Sequence, residues 1–271
     1  MMVIPIGSVR EQRTGMTQET TLTNAPLEGS IDYSAQDGVA TIRINRPAKR
    51  NAITGAMCEQ LRAAWLRFKE SEDRVALLCA QGDTFTAGAD LTNPPADFWR
   101  AVPDVGLDIG KPVIAVVQGP VIGMGVTMLA FCDLCVAADD ARFIYPEAKV
   151  GVAMGLITAI GARIPHKMAM ELMLLGGPIT AQRAYEVGFV NRVVPRGQEM
   201  ACAMELALRI AASAPLVIKL LKDLTQQTLA HSPVETMYRT NAHTLQVQRS
   251  ADAAEGLLAF KEKRAPKFVG K

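Results

Sequence analysis

The sequence predicts an α/β core followed by an all-helical C-terminal end, and three observations carry that prediction. Residues 38–45 alternate apolar and polar side chains, as a half-buried strand does. Residues 75–80 and 112–117 are continuous apolar runs, the pattern of strands covered on both faces. From Gln198 onward, apolar residues recur at helical spacing with few strand signals.

Taken in order, Ala40, Ile42 and Ile44 form one face of the first strand and Val39, Thr41 and Arg43 the other. Pro47 ends it. Thr54 can cap a helix that carries Met57, Leu61, Trp65 and Phe68 on one side. Strands are expected at 75–80, 112–117, 134–138 and 190–194, with a buried helix at 125–131 and further helix at 168–175. Thr180 caps the next helix, and Gly188 stops it in the left-handed position glycine favours. Helices follow at 199–212, 214–229 and 233–261, then a charged tail from Lys261 to Arg264. Residues 1–28 are polar and Thr-rich after a short apolar start, and read as a disordered tail in which Met16 is an alternative start. That leaves 29–198 as the α/β core and 199–271 as a helical subdomain. The apolar residues 1–6 precede Arg10 and Arg13, the reverse of a signal peptide.

Composition narrows the function class. A net charge of +2, with no run of Lys and Arg interleaved with aromatics, gives no nucleic-acid footprint. No stretch approaches ~18 consecutive apolar residues, so no membrane span is expected. Five cysteines (Cys58, Cys79, Cys132, Cys135 and Cys202) make no even framework and point to reduced thiols in a cytoplasmic protein. Cys132 and Cys135 form a C-x-x-C, but the nearest histidine is His166; the pair reads as buried strand, and no metal site is expected.

Three glycine-bearing turns between apolar runs can carry chemistry. Residues 82–91 follow a strand, and their small side chains let backbone approach a ligand. Residues 118–127 leave a strand and enter a helix, where unpaired N–H groups can stabilise an oxygen gaining negative charge. Residues 141–147 place the Glu147 carboxylate after a proline-fixed turn. The second turn is not G-x-G-x-x-G, so a nucleotide-redox reading is poor.

Together these stretches resemble the enoyl-CoA hydratase/isomerase (crotonase) family, from about Gly38 to the tail. The carriers are residues 39–47 with Asn51 and Ala52, Phe85-Thr-Ala-Gly-Ala-Asp-Leu91, Lys111–Gly119 followed by Gly123-Met-Gly125, and Ala181–Val190. The resemblance implies a crotonase-like (ClpP/crotonase) fold: a repeated ββα superhelical core with a C-terminal helical trimerisation subdomain. It implies a lyase or isomerase of fatty acid metabolism acting on an acyl-CoA, with coenzyme A part of the substrate and no cofactor, assembled as a homotrimer or a hexamer (dimer of trimers). The N–H groups of Ala89 and Met124 would form the oxyanion hole and Glu147 the acid/base. Ala48, Arg50, Ala52, Ala87, Gly88, Asp90, Leu91, Gly123, Thr127 and Pro146 would line the substrate site. Phe260 and Lys263 would complete the CoA site, often from a neighbouring subunit.

One departure bears on the reaction. Family hydratases hold a water between two glutamates, and here the first position is Thr127, which cannot act as a carboxylate base. Residues 125–129 are closer to the isomerase branch, and the loop 152–156 supplies no other acid. Double-bond isomerisation by Glu147 alone is therefore expected over water addition, with hydration as the alternative. A non-catalytic acyl-CoA-binding relative is the alternative of another class, against which Glu147 stands. A serine peptidase is excluded, since no Ser lies between Ser71 and Ser213 and no His precedes His166.

Overall fold

The computed structural model describes residues 29–152 and 154–271. The tail, the alternative start at Met16 and the signal-peptide reading fall on residues 1–28, outside the described residues. The chain opens with an antiparallel pair, β1 (Ser30–Gln36) and β2 (Val39–Asn45), then α1 (Gly55–Glu70), β3 (Val75–Ala80), β4 (Val113–Val117) and β5 (Pro120–Ile122). Next come α2 (Met124–Ala130), β6 (Leu134–Ala138), β7 (Arg142–Ile144), α3 (Glu147–Val150) and α4 (His166–Leu175). The strands end with β8 (Ile179–Thr180), α5 (Ala181–Glu186) and β9 (Arg192–Val194). Four helices close the chain: α6 (Glu199–Ala211), α7 (Pro215–Thr228), α8 (Pro233–Gln248) and α9 (Ala251–Glu262).

A six-stranded sheet in the order β1-β2-β3-β4-β6-β9 is parallel beyond its first pair. Its two faces explain the apolar runs. Ala76 and Leu78 of β3, with Val113, Ala115 and Val117 of β4, join the main core with Leu61, Trp65 and Phe68 of α1. Val75, Leu77 and Cys79, with Ile114 and Val116, form a second core against Ala203 and Ala207 of α6. Both sides of each central strand are dry, so alternation disappears from the sequence. The helical end thus begins with a helix packed directly on the sheet. The expected Thr54 cap is present: its side chain accepts from the Met57 N–H at 3.2 Å.

Several expectations need correction. The helix expected over 233–261 is two helices, because Ser250 leaves helical geometry and accepts from the Ala253 N–H to start α9. Lys261 and Glu262 belong to the last turn of α9 rather than to a tail, and Arg264 folds back on Glu255. Cys132 sits in the turn after α2, not in a strand; only Cys135 lies on β6. Burial pushes the Cys135 thiol up to about 12 and that of Cys132 also well up, so neither is a thiolate at neutral pH. The last strand starts at Arg192 rather than at residue 190. A three-stranded sheet, β5-β7-β8, was not foreseen, and it stands beside the main sheet where the candidate site forms. Among the described residues no single helix is long and apolar enough to cross a membrane.

Candidate active site

Loops leaving the carboxyl ends of β2, β3 and β4 converge, the edge where parallel sheets place ligands. Asn51 anchors them. It is fully buried with φ +54, a conformation asparagine tolerates better than most residues. Its Oδ1 accepts from the Arg46 N–H at 2.7 Å, and its Nδ2 donates to the Gln81 and Thr84 carbonyls at 2.8 and 2.7 Å. The buried Thr86 hydroxyl donates to the Asn51 carbonyl at 2.6 Å and accepts from the Gly88 N–H at 3.1 Å. Arg46 Nη1 meets Asp90 Oδ2 at 2.6 Å and also donates to the Ala52 carbonyl at 3.0 Å. The Thr92 hydroxyl and Arg46 hold the Asp90 carboxyl far below the usual carboxylate range.

This bracing sets where backbone N–H groups point. The Ile53 N–H donates to Gly88 O and the Asp90 N–H to Ile53 O, both at 2.8 Å, pinning the chain on either side of Ala89. Gly88 has φ +91, and a Cβ there would stand 3.1 Å from the Ile122 carbonyl, so this loop lies against β5. β5 is followed by Gly123, whose φ of +55 and ψ of −115 turn the chain into α2. Met124 opens that helix, so its N–H has no partner within it. Among the described residues, neither the Ala89 nor the Met124 N–H donates to a protein acceptor.

Thr86→Val removes the hydroxyl while nearly conserving volume and leaves two buried backbone groups unpaired. A loss of about 1–3 kcal/mol is expected, read as a lower Tm, whereas Thr86→Ser, which keeps the hydroxyl, should stay close to the parent.

Glu147 faces the same place. β7 pairs with β5 and delivers Pro146, and Glu147 begins α3. A Cβ at Gly123 would lie 2.7 Å from Glu147 Oε1, so only glycine lets this carboxylate sit against the entrance to α2. Glu147 Oε2 is buried without a hydrogen-bond partner among the described residues. Burial raises this carboxyl from its ordinary 4.5 to about 7, offset in part by a bond from its own backbone N–H.

A cavity of about 520 Å3 opens here. Of the predicted residues, Ala52, Ala87, Gly88, Ala89, Asp90, Leu91, Gly123, Pro146 and Glu147 line it. Ala48 and Arg50 are exposed on either side of Lys49, which lines it. Thr127 and Met124 are buried in α2 behind it, each 3% exposed. Phe260 and Lys263, on α9 and at its end, do not line it; Phe260 is 84% exposed. Among the described residues its lining carboxylates are Asp90 and Glu147, and Arg46 occupies the first. Sequence reasoning missed Arg46, Asn51 and Thr86 as organisers and Val150, Val152 and Met154 as an apolar wall. An Asn beside a proline turn was a usable signal for the first loop; the apolar wall carries none. The arrangement offers one half-buried, unpaired carboxylate at a cavity bordered by Ala89, with the free Met124 N–H at the start of α2 behind it, which suits moving a proton beside a carbonyl whose oxygen gains charge.

A family model described as enoyl-CoA hydratase/isomerase matches residues 34–271. The chain is 34% identical over 264 residues to a carnitinyl-CoA dehydratase of Salmonella typhi, covering 90% of this chain and 100% of the relative. It is 35% identical over 243 residues to an enoyl-CoA hydratase of Mycobacterium tuberculosis, covering 84% and 91%. Among solved structures it resembles an enoyl-CoA hydratase/isomerase from Pseudoalteromonas atlantica, with TM-score 0.71, 30% identity and coverage of 89% and 100%. It also resembles a carnitinyl-CoA hydratase from Mycobacterium avium, with TM-score 0.69, 30% identity and coverage of 89% and 99%. The chain belongs to the enoyl-CoA hydratase/isomerase family, and its fold is the crotonase-like α/β fold.

Proposed function

We propose that the chain isomerises the double bond of an enoyl-CoA, taking and returning a proton through Glu147. The thioester oxygen sits between the N–H groups of Ala89 and Met124, and the dienolate places its charge there. Glu147 removes a proton from the α-carbon of a 3-enoyl-CoA and returns it to the γ-carbon, so one group serves as base and then as acid. The carrying observation is that Glu147 is the one lining carboxylate among the described residues free of an ion pair, with Asp90 held by Arg46. Coenzyme A enters as part of the substrate, and this proton transfer calls for no further cofactor. Ala48, Arg50, Ala52 and Ala87 border the path for its pantetheine and adenine portions.

Water addition to 2-enoyl-CoA is the second reading, favoured by the names of the relatives. It lacks a second carboxylate at Thr127, which is buried in α2. A paired assay on purified protein decides between them. Isomerisation predicts faster turnover of 3-enoyl-CoA by migration than of 2-enoyl-CoA by hydration; the reverse order refutes it.

A homotrimer or dimer of trimers fits the apolar side of α7, where Leu216, Leu220 and Leu224 are 81, 55 and 51% exposed. In such an assembly Phe260 and Lys263 of one chain can reach a neighbour's CoA site. Five unpaired cysteines agree with a reducing compartment such as the cytoplasm.

A further inference from the structure

A second cavity, of about 570 Å3, lies between α1, the turn at Phe98–Ala101 and α8, and shares no lining residue with the cavity at Glu147. Four cationic side chains line it (Arg62, Lys69, Arg100 and Arg249) with His243, against two carboxylates, Glu70 and Asp108. Two of the cations are engaged. Arg100 makes a two-pronged contact with Glu59 at 2.5 and 3.1 Å, and Lys69 Nζ donates to the Asp108 carbonyl at 2.6 Å.

Arg62 and Arg249 are different. Among the described residues, neither guanidinium is paired with a carboxylate or donates to a protein acceptor, although both line the cavity. Arg62 is partly withdrawn from water in the middle of α1, with Arg100 and Arg249 close by; burial first and these like charges next pull its pKa down. The compensating acid is Glu59, which already holds Arg100. Beneath the charges lies an apolar floor of Leu66, Leu245 and Trp99, the last stacked on Tyr238 with ring centroids 5.2 Å apart.

We propose that this cavity binds an organic phosphate, its dianionic head held by the forks of Arg62 and Arg249 and its apolar body on Leu66, Trp99 and Leu245. A guanidinium matches phosphate oxygens in a planar, two-pronged geometry, and two unpaired cations match a dianion. The apolar floor selects a phosphate ester over inorganic phosphate. Arg62 is half-buried and Arg249 exposed at the rim, and both line the one cavity. The inference rests on this cavity and does not depend on the reading at Glu147.

Titration calorimetry of the full chain with phenyl phosphate, in saturating coenzyme A so that the substrate site is occupied, tests the proposal. One molecule should bind per chain, and inorganic phosphate should bind roughly tenfold or more weakly. Arg62→Met with Arg249→Met, which keeps apolar stems in place, should weaken phenyl phosphate by at least about tenfold while acyl-CoA turnover is unchanged. The exposed Arg249→Glu alone, which leaves α1 untouched, should also abolish binding. Full-strength binding to either variant, binding seen only when coenzyme A is left out, or no binding of phenyl phosphate at about 10 mM would each overturn it.

Discussion

Glu147→Gln is expected to slow enoyl-CoA turnover by about 10²–10⁴-fold with little change in KM, the range a positioned acid/base contributes. Glutamine keeps the size and one carbonyl oxygen, so the Gly123 contact and the cavity survive while the proton carrier is lost. The pH profile follows from the same group. Burial sets its pKa at about 7, and removing a proton from the substrate requires the ionised form. For isomerisation, kcat/KM therefore rises with pH through about 7 and levels above it. A hydration route using protonated Glu147 as the acid would fall over the same range.

Stability runs the other way. The folded-state pKa lies above the ordinary 4.5, so between about 4.5 and 7 the folded chain binds more proton than the unfolded one. This group's stabilising contribution is full below that window and is lost as pH rises through about 7. Glutamine cannot ionise. Glu147→Gln should then raise Tm relative to the parent at pH 8, by about 2–4 °C for each kcal/mol relieved, and confer no gain at pH 4. A variant less active and more stable only at alkaline pH is the signature of a buried catalytic carboxylate.

Gly123→Ala is the second large effect, and it acts on both halves of the site. The added Cβ would fall 2.7 Å from Glu147 Oε1, and the φ of +55 is one that alanine resists. The Glu147 carboxylate must swing away from the new carbon, and only a backbone shift relieves the φ, with the Met124 N–H next along the chain. A loss of about 10²–10³ in kcat is expected, comparable to removing one oxyanion donor. Strain should add about 1–3 kcal/mol of destabilisation. Gly188→Ala is the control: its φ is +79, but nothing lies within 4 Å of the added carbon. It should share the strain cost and keep the activity.

How much of this was legible in the sequence depends on how local each feature is. The strands at 75–80 and 113–117 and the Thr54-capped helix were readable, because burial on both faces and a cap leave their marks within a few residues. The strands β5, β7 and β8 were not, being two or three residues long and paired across 20 residues or more of chain. The break at Ser250 was hidden because apolar spacing continues across it, and Ala253 stands where a Glu would have completed a capping box. Glu147, Ala89 and Met124 came from the resemblance, since a lone Pro-Glu or a glycine turn says little by itself. The bracing that aims them lies in contacts no spacing encodes: Arg46 to Asp90 spans 44 residues and Asn51 to Thr84 spans 33. The paired arginines of the second cavity, Arg62 and Arg249, come from the two ends of the chain.

The central claim is that Glu147 exchanges a proton at the carbon beside a thioester held by the Ala89 and Met124 N–H groups. Incubating the enzyme in D2O with a saturated acyl-CoA, which can neither isomerise nor take up water, isolates that step. Mass analysis of the recovered thioester should show deuterium entering the α-carbon with the parent enzyme and essentially none with Glu147→Gln. Equal incorporation by both proteins, or none by a parent that still turns over enoyl-CoA, would contradict the account.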